Sequence, residues 1–498
     1  MNKSQPNSLP GPKGLKNGPA RGMLWTSASL FCRRLAIDAV YLLALAIALP
    51  WLLLRSIKTG RYRSSLATRS ELATKFFGVQ ESQLEHLPHQ SAASKHQEVV
   101  WLHGVSVGEV QLLAALYSRW KTDRPDVKFV VTTTTESGMD LARRSFPDAD
   151  VVYFPWDLSW SIRRTIKAIR PSMLVLGELE LWPNLIEACN TNNVPVAIVN
   201  GRLSERSFRG YRRLRFITQR IFRQVALVLA QTQEYAERFT ACGCKPERVR
   251  NVGGLKFDNA SFDSSATAIH KLRSLVGLDV PSKHPIVVVG STQAPEEDAA
   301  IRAFEQLLVQ HSQARMILVP RHPDRFESVH TLLKQSSVRT VRRSQIVSPI
   351  SSTDWDVLLV DSVGELRWWW GLAEVAVVGG SFGKRGGQNM IEPSAFGCNV
   401  AVGPNTSNFR DVVNSLKEAN AIAVLPNLAV LPEWLTKQVS SPDEGRARGA
   451  AAQELVRKQQ GATGRTLHAL TELLQARNRQ LDSPLAPEHK DSKISSAA

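Results

Sequence analysis

Cysteine is scarce in this sequence: Cys32, Cys189, Cys242, Cys244 and Cys398 are the five in a chain of 498 residues. The number is odd. Cys242 and Cys244 stand too close together, with no partner pair, for a zinc knuckle. What remains is reduced thiols in a cytoplasm-facing protein, acting as small buried apolar residues. Acidic residues are also short, 45 against 62 Lys and Arg, for a net charge of +17. So basic a balance calls for an anionic partner. No zinc finger or RNA-binding motif accompanies it, so nucleic acid is set aside in favour of an acidic membrane face or a phosphorylated substrate. No short internal repeat is present. Neither G-x-x-x-x-G-K-[ST] nor a G-x-G-x-x-G after the first strand of a βαβ unit occurs, which disfavours P-loop and dinucleotide folds.

Hydrophobic residues make up 43% of the chain, enough for two or three domains with real cores. Residues 1–22, rich in Pro, Gly, Asn, Ser and Lys, read as a disordered basic tail. An apolar run from Ala36 to Leu54 follows, within a segment 23–60 expected to anchor the protein to a membrane. As a helix the run would measure roughly 28 Å, close to the bilayer core. Asp38 and Pro50 interrupt it. Arg33 and Arg34 precede it, and Arg55, Lys58, Arg61 and Arg63 follow it. No small-residue cleavage site follows, so an anchor is favoured over a removed signal peptide.

Beyond the anchor, apolar strands alternate with helical stretches. Strands are expected at 98–103, 128–133, 172–176, 194–199 and 225–230. After an Asn/Ser/Ala-rich lapse at 258–283 they resume at 285–289, 315–319, 356–360, 375–378 and 399–402. This pattern predicts parallel sheets covered on both faces. The expected lobes are 61–260 and 261–440, facing a cleft, followed by a helical tail at 441–478 and a disordered end at 479–498. Ligands of such sheets bind beyond the carboxyl ends of the strands.

The chemistry-bearing residues fall at those ends. Ser106-Val-Gly-Glu109 follows the first strand and first of all fits a capping box; it also offers a carboxylate base at the top of the sheet. Glu178, Glu180 and Asn184 follow another strand. From Asn200 to Arg223 a basic stretch carries Arg202, Arg206, Arg209, Arg212, Arg213, Arg215, Arg220 and Arg223. Leu214, Ile217 and Ile221 recur beneath them at helical spacing, which suits an anionic lipid surface, substrate phosphates or a solvated face. Lys256 stands at a turn. Pro320-Arg321-His322-Pro323 offers a guanidinium to a phosphate. Ser362-Val363-Gly364-Glu365 again fits a capping box. Gly379 to Pro393 forms a Gly-rich turn that opens a helix, a place where backbone amides attract phosphate. Glu392 is placed to accept ribose hydroxyls.

Taken in order, Ser-Val-Gly-Glu, Glu-Leu-Trp-Pro-Asn, Arg-Leu-Ser-x-Arg-Ser, Leu-Lys-Phe-Asp, Pro-Arg-His-Pro-x-Arg-Phe, Gly-Glu-Leu and Asn-x-x-Glu resemble the motifs of the transferases of 3-deoxy-D-manno-octulosonic acid (Kdo). The resemblance runs from about residue 60 to 435. It implies a GT-B fold: two Rossmann-like lobes facing a cleft, with an N-terminal membrane-anchor helix. It also implies inverting transfer of Kdo from CMP-Kdo to the lipid A precursor, lipid IVA, without metal or cofactor. By motif position Glu109 matches the proton acceptor, and Glu178 and Lys256 match residues that stabilise the transition state. Pro320, Arg321, Val363, Gly364, Glu365, Asn389, Met390, Ile391 and Glu392 match CMP contacts. The implied partners are CMP-Kdo, the lipid acceptor and an anionic membrane surface. The implied location is the inner membrane, with the lobes on its cytoplasmic face. The chain departs from the family pattern at Gly201, at Thr135-Glu136-Ser137-Gly138, and at Gln293 and Gln388, where the family has histidines. The competing readings are a GT-B transferase using a UDP-sugar on a lipid-linked acceptor, and a basic membrane-surface scaffold without activity.

Overall fold

A computed structural model describes residues 33–44, 46–47, 66–86, 97–259, 267–278 and 284–482. The expected tail at 1–22, residues 23–32, 45 and 48–60 of the expected anchor, and the end from 483 lie outside these residues. Two compact units divide the chain: Met1–Asn251 with Thr466–Ala498, and Val252–Arg465. The boundary therefore falls at 251/252 and not at 260/261. The helical tail is not one element. Helix Pro442–Gln459 belongs to the second unit, and helix Ala462–Asp482 carries the chain back into the first. That helix continues into the stretch expected to be disordered from 479.

The first unit holds strands β1 Val99–His103, β2 Lys128–Thr133, β3 Asp150–Tyr153, β4 Met173–Gly177, β5 Val196–Gly201, β6 Leu227–Ala230 and β7 Val249–Asn251. They lie in the order β3-β2-β1-β4-β5-β6-β7, every pair parallel. The second unit repeats the plan. Its strands are β8 Ile286–Thr292, β9 Arg315–Pro320, β10 Thr340–Arg342, β11 Val357–Leu359, β12 Val375–Val378, β13 Asn399–Val402 and β14 Ala423–Val424. Their order is β10-β11-β9-β8-β12-β13-β14. The central strands are continuous apolar runs because helices cover both faces: β1, β4, β8 and β12 are buried along their whole length. These are the two Rossmann-like parallel-sheet lobes of the expected GT-B class. In each, the chain switches from one side of the sheet to the other at a central reversal point, between β1 and β4 in the first and between β8 and β12 in the second, where β10 and β11 are also exchanged at one edge. Those two points position everything that follows.

The described residues of the N-terminal segment, 33–44 and 46–47, are helical, including three residues ahead of the expected run. Among the described residues no helix is long and apolar enough to cross a membrane. The polar residues of this helix face inward. Asp38 is buried, taking the Ser159 amide at 2.9 Å, the Ser159 hydroxyl at 2.6 Å and the Asn184 side-chain amide at 3.0 Å. Tyr41 donates to Asp157 at 3.1 Å, and Arg33 and Arg34 both pair with Glu187. Asp38, which interrupts the apolar run in the sequence, is thus the latch that holds the helix to the lobe. Asp38→Ala should remove the acceptor of three buried hydrogen bonds, at a cost of about 1–3 kcal/mol for each donor left unpaired. The expected result is earlier cleavage near the helix in limited proteolysis, with the sheet still intact by circular dichroism.

Candidate active site

The first cluster sits at the reversal point of the first sheet. Helix Val107–Asp123 follows β1, and Ser106 caps it by accepting the Glu109 amide at 3.3 Å. The Glu109 side chain turns back. One carboxylate oxygen takes the Ser106 hydroxyl at 2.7 Å, the other the Val105 amide at 2.8 Å. This is the expected capping box with its return bond moved one residue further back. The carboxylate is fixed by two donors and remains half-exposed. The turn is braced from the end of β2 and the loop after it, where the hydroxyls of Thr133, Thr134 and Thr135 all point at the Val105 carbonyl, at 3.3–3.4 Å.

Glu178 follows β4 on the other side of the reversal point. Its backbone is left-handed, φ 79°, as is that of Asn200 at the end of β5, φ 52°. For a non-glycine residue this conformation costs of order 1 kcal/mol or more, and it clusters at functional sites. The Asn200 amide reaches the Glu178 carboxylate at 3.4 Å. Glu180 completes the group. Burial, then the charges of Glu109 and Glu178, push its carboxyl up to about 7. Glu109, Glu178 and Glu180 therefore form one acidic cluster, in which Glu180 carries the raised carboxyl. Glu180 carries no role in the motif reading; the pair of acids flanking Leu179 was the only sequence signal for it. Asn184 stands apart from this group. Its side chain serves Asp38 and the Asp157 carbonyl, a structural task.

The raised Glu180 carboxyl has a consequence for stability. Between its ordinary 4.5 and about 7 the folded protein holds a proton that the unfolded chain has released. Stability then falls as pH rises through that window, and the full cost is present above it. Glu180→Gln removes the cost, so the variant should gain on wild type as pH rises, and the gain should level off above the window. Urea denaturation at about pH 5 and about pH 8 reads the difference.

The second cluster occupies the carboxyl ends of β8, β9, β11 and β12. After β12 the glycine-rich turn begins, and Gly379 is there of necessity: a Cβ would stand 2.6 Å from a Glu296 oxygen and 2.7 Å from the Ser291 carbonyl. The buried Glu296 carboxylate collects three backbone amides, those of Gln293 at 3.0 Å, Gly380 at 2.8 Å and Phe382 at 3.2 Å. The amides at the start of this turn, expected to be open to phosphate, are thus already occupied by a carboxylate of the protein. Asn389 accepts the Ile391 amide at 3.0 Å and donates to Glu392 at 3.0 Å, opening the short helix Ile391–Ala395. Met390 and Ile391 are core residues, so what they offer a ligand is backbone. Glu392 is raised by burial and drawn back by Asn389, Arg367 and Arg321.

Arg321 lies just past β9. Its amide is fixed on the Thr292 carbonyl at 3.0 Å, while its side chain is exposed. Pro320, the last residue of β9, is buried. Lys256 is exposed, donates to the Asn408 carbonyl at 3.3 Å and stands 5.3 Å from the Phe409 ring. Asn408 in turn donates to the Arg385 and Gly387 carbonyls, so Lys256 is tied to the glycine-rich turn. Val363 and Gly364 project into solvent, Val363 at 78% exposure. The expected capping box at 362–365 does not form. The helix begins at Leu366, and Glu365 instead takes the Ser362 hydroxyl at 2.7 Å and Arg343 at 3.0 Å. Gln293 and Gln388 meet across Gly380: their side-chain nitrogens lie 3.5 and 3.2 Å from where its Cβ would be.

A comparison with known sequences decides the family. A 3-deoxy-D-manno-octulosonic acid transferase of Haemophilus influenzae is 32% identical over 453 residues, which cover 91% of this chain and 98% of that one. The chain belongs to the Kdo transferase family. The family model for 3-deoxy-D-manno-octulosonic-acid transferase matches residues 79–259. A Bordetella pertussis Kdo transferase is 32% identical over 388 residues, covering 75% and 87%. A crystal structure of a C-terminal CMP-Kdo binding domain from Acinetobacter baumannii is 31% identical, covering 39% of this chain and 97% of that one, with a TM-score of 0.35. The glycosyltransferase class read from the motifs is that of the family.

Among the described residues no group of three or more His, Cys, Asp or Glu side chains is placed to hold a metal ion. The described cysteines, Cys189, Cys242, Cys244 and Cys398, are buried and unpaired, and burial raises each thiol. The basic stretch at 200–223 differs from the single helix expected. It is two helices, Glu205–Arg213 and Arg215–Phe222, broken at Leu214. The break turns the apolar stripe outward. Leu214, Phe216 and Ile217 are exposed, and Thr218 and Phe222 are the buried residues of the second helix.

Proposed function

We propose that this Kdo transferase moves Kdo from CMP-Kdo to a glucosamine hydroxyl of a lipid A precursor, with Glu109 as the base. The observation that carries this reading is the fixed position of the Glu109 carboxylate, held by the Val105 amide and Ser106 hydroxyl beside Glu178 and Glu180 at the β1/β4 reversal point. The hydroxyl proton passes to Glu109 as the oxygen attacks the anomeric carbon of Kdo. The new C–O bond forms as the bond from that carbon to the CMP phosphate oxygen breaks, and CMP leaves with the electron pair. Arg321 and Lys256 offset the charge that gathers on the phosphate. Asn389, Glu392 and the backbone at 363–365 and 390–391 hold the nucleotide. Glu178, in its strained backbone, orients the acceptor or the base.

The same reading places the protein at an anionic membrane surface, the cytoplasmic face of the inner membrane. Two features favour this. Helix 33–44 turns its polar side to the lobe and an apolar side outward, and Leu214, Phe216 and Ile217 stand exposed among arginines. Such a mixture of exposed apolar and basic residues suits a lipid interface.

Incubation with CMP-Kdo and lipid IVA, read by mass spectrometry, tests the proposal. A product heavier by one or more Kdo units is expected. No mass shift with CMP-Kdo, but one with a UDP-sugar, would overturn it. Arg321→Ala should weaken CMP binding about 10- to 100-fold, the loss of one charge-assisted contact. Unaltered affinity by calorimetry would remove Arg321 from the donor site.

A further inference from the structure

We propose that a preformed apolar cavity in the first lobe takes one fatty acyl chain of the acceptor, beside the catalytic carboxylates. The inference rests on the reading of the acceptor as a lipid. The cavity has a volume of about 400 Å³, within the ~300–1,000 Å³ range of ligand sites. Tyr41, Leu42 and Ala44 of the N-terminal helix form one wall, and Phe154, Trp156 and Trp182 form another. Protein interiors pack densely and leave few voids larger than a water molecule. An apolar cavity of this size persists only if its walls are prevented from closing.

Both walls are so prevented. The helix is latched by Asp38 to Ser159 and Asn184, by Tyr41 to Asp157, and by Arg33 and Arg34 to Glu187. Opposite, Phe154 is stacked on the buried His103 ring at 3.9 Å and lies against Trp182 at 5.8 Å. Asp157 is itself committed, since its two oxygens take the Asn184 and Leu185 amides at 3.0 and 2.8 Å. The site is built before any ligand arrives.

The lining excludes a sugar. The Asp157 carboxylate and Tyr41 hydroxyl satisfy each other, and Lys75 is paired with Glu71. The Thr134 hydroxyl is given to the Val105 carbonyl at 3.3 Å, which leaves the indole N–H groups of Trp156 and Trp182, the latter without a partner among the described residues, as the polar hydrogens of an otherwise apolar lining. A polyhydroxyl ligand would lose its water hydrogen bonds there with little return, whereas an alkyl chain loses none. Location selects the acceptor over an unrelated lipid. Val105, which takes the Thr134 hydroxyl, donates its own amide to Glu109, and Trp182 follows Glu180 by two residues. A chain seated in the cavity therefore holds its headgroup at the edge where the base lies. The approach is apolar as well: Val40, Leu43 and Ile47 on the outer side of the same helix are 65%, 63% and 71% exposed.

The test uses the full chain in detergent micelles, with the intact acylated acceptor and the same acceptor stripped of its acyl chains. Wild type should prefer the acylated form in kcat/KM. Ala44→Phe, which fills the cavity, should raise KM for the acylated acceptor about tenfold and abolish that preference. Leu42→Trp, filling it from a second side chain, should do the same. CMP affinity and the thermal midpoint report whether either variant folds. A second readout needs no acceptor: a bromine-tipped medium-chain fatty acid should quench the tryptophan fluorescence of wild type, and Trp156→Phe should remove part of that quenching. Folded variants that keep the full preference would overturn the proposal, as would quenching indifferent to Trp156. If wild type transfers Kdo to neither acceptor, the proposed function fails instead, and the quenching result still decides whether the cavity takes an acyl chain.

Discussion

Glu109→Gln is expected to lower the transfer rate by about 10²–10⁴, the range for loss of a general base, with CMP affinity unchanged. The substitution separates the two tasks of this residue. As a cap, Glu109 receives the Val105 amide and the Ser106 hydroxyl. A glutamine carbonyl still accepts one of these, so stability should fall by less than about 1 kcal/mol. As a base, Glu109 must accept a proton from the acceptor hydroxyl, which an amide cannot do at neutral pH. Stopped assays at saturating acceptor, with a urea titration of the same preparation, read both quantities. Turnover at the wild-type level would end the assignment. A greater loss of rate in Glu180→Gln than in Glu109→Gln would move the base to Glu180, whose carboxyl burial and its neighbours raise to about 7.

The two roles of Glu109 also show how far the sequence reaches. Ser-x-x-Glu after a buried strand marks a helix start by local chemistry, and the helix does start there. That the same carboxylate stands at a reversal point requires the order of the strands, and strand order is set by crossovers that no local window contains. The central strands were legible because burial on both faces makes them continuous apolar runs. The four strands absent from the sequence reading, β3, β7, β10 and β14, are the four sheet edges. β7, β10 and β14 have two or three residues each and no buried position, and β3 is buried only at alternate residues. Short edge strands limit unwanted pairing, and the same brevity removes their signal.

Side-chain facing was harder to read than element type. Leu214 and Ile217 have the spacing of a buried stripe, yet the helix breaks at Leu214 and both are exposed. Asp38 looks like a fault in an apolar run, yet it is a buried acceptor whose donors lie more than a hundred residues away. In each case the deciding partner is distant in sequence. The same holds for Glu296. With Glu297 and Asp298 it occupies the first turn of helix Glu296–Gln310, where acids ordinarily favour the helix dipole and face solvent. Here Glu296 and Glu297 are both buried, Glu296 holding the glycine-rich turn and Glu297 pairing with Arg325.

Glu296→Ala should therefore be the most damaging single change in the second lobe. It removes the acceptor of three backbone amides, those of Gln293, Gly380 and Phe382. Each buried donor left unpaired costs about 1–3 kcal/mol, partly relieved if water enters the gap. A total loss of about 3–5 kcal/mol is expected, the size found when one member of a buried charged network is removed. Urea denaturation measures it. The turn at Gly379 would then lose the anchor that fixes its path from β12 to Asn389, and CMP binding should fall with it. Glu296→Gln, which keeps an acceptor but adds a donor facing backbone amides, should be intermediate in both measurements. The pairing of the two quantities is the informative part. If Glu296→Ala keeps its stability and loses only CMP affinity, the turn is ordered by the nucleotide and the carboxylate merely fills its place. If stability and affinity fall together, the protein builds its donor site with an internal anion, and Arg321 and Lys256 are left to meet the phosphate.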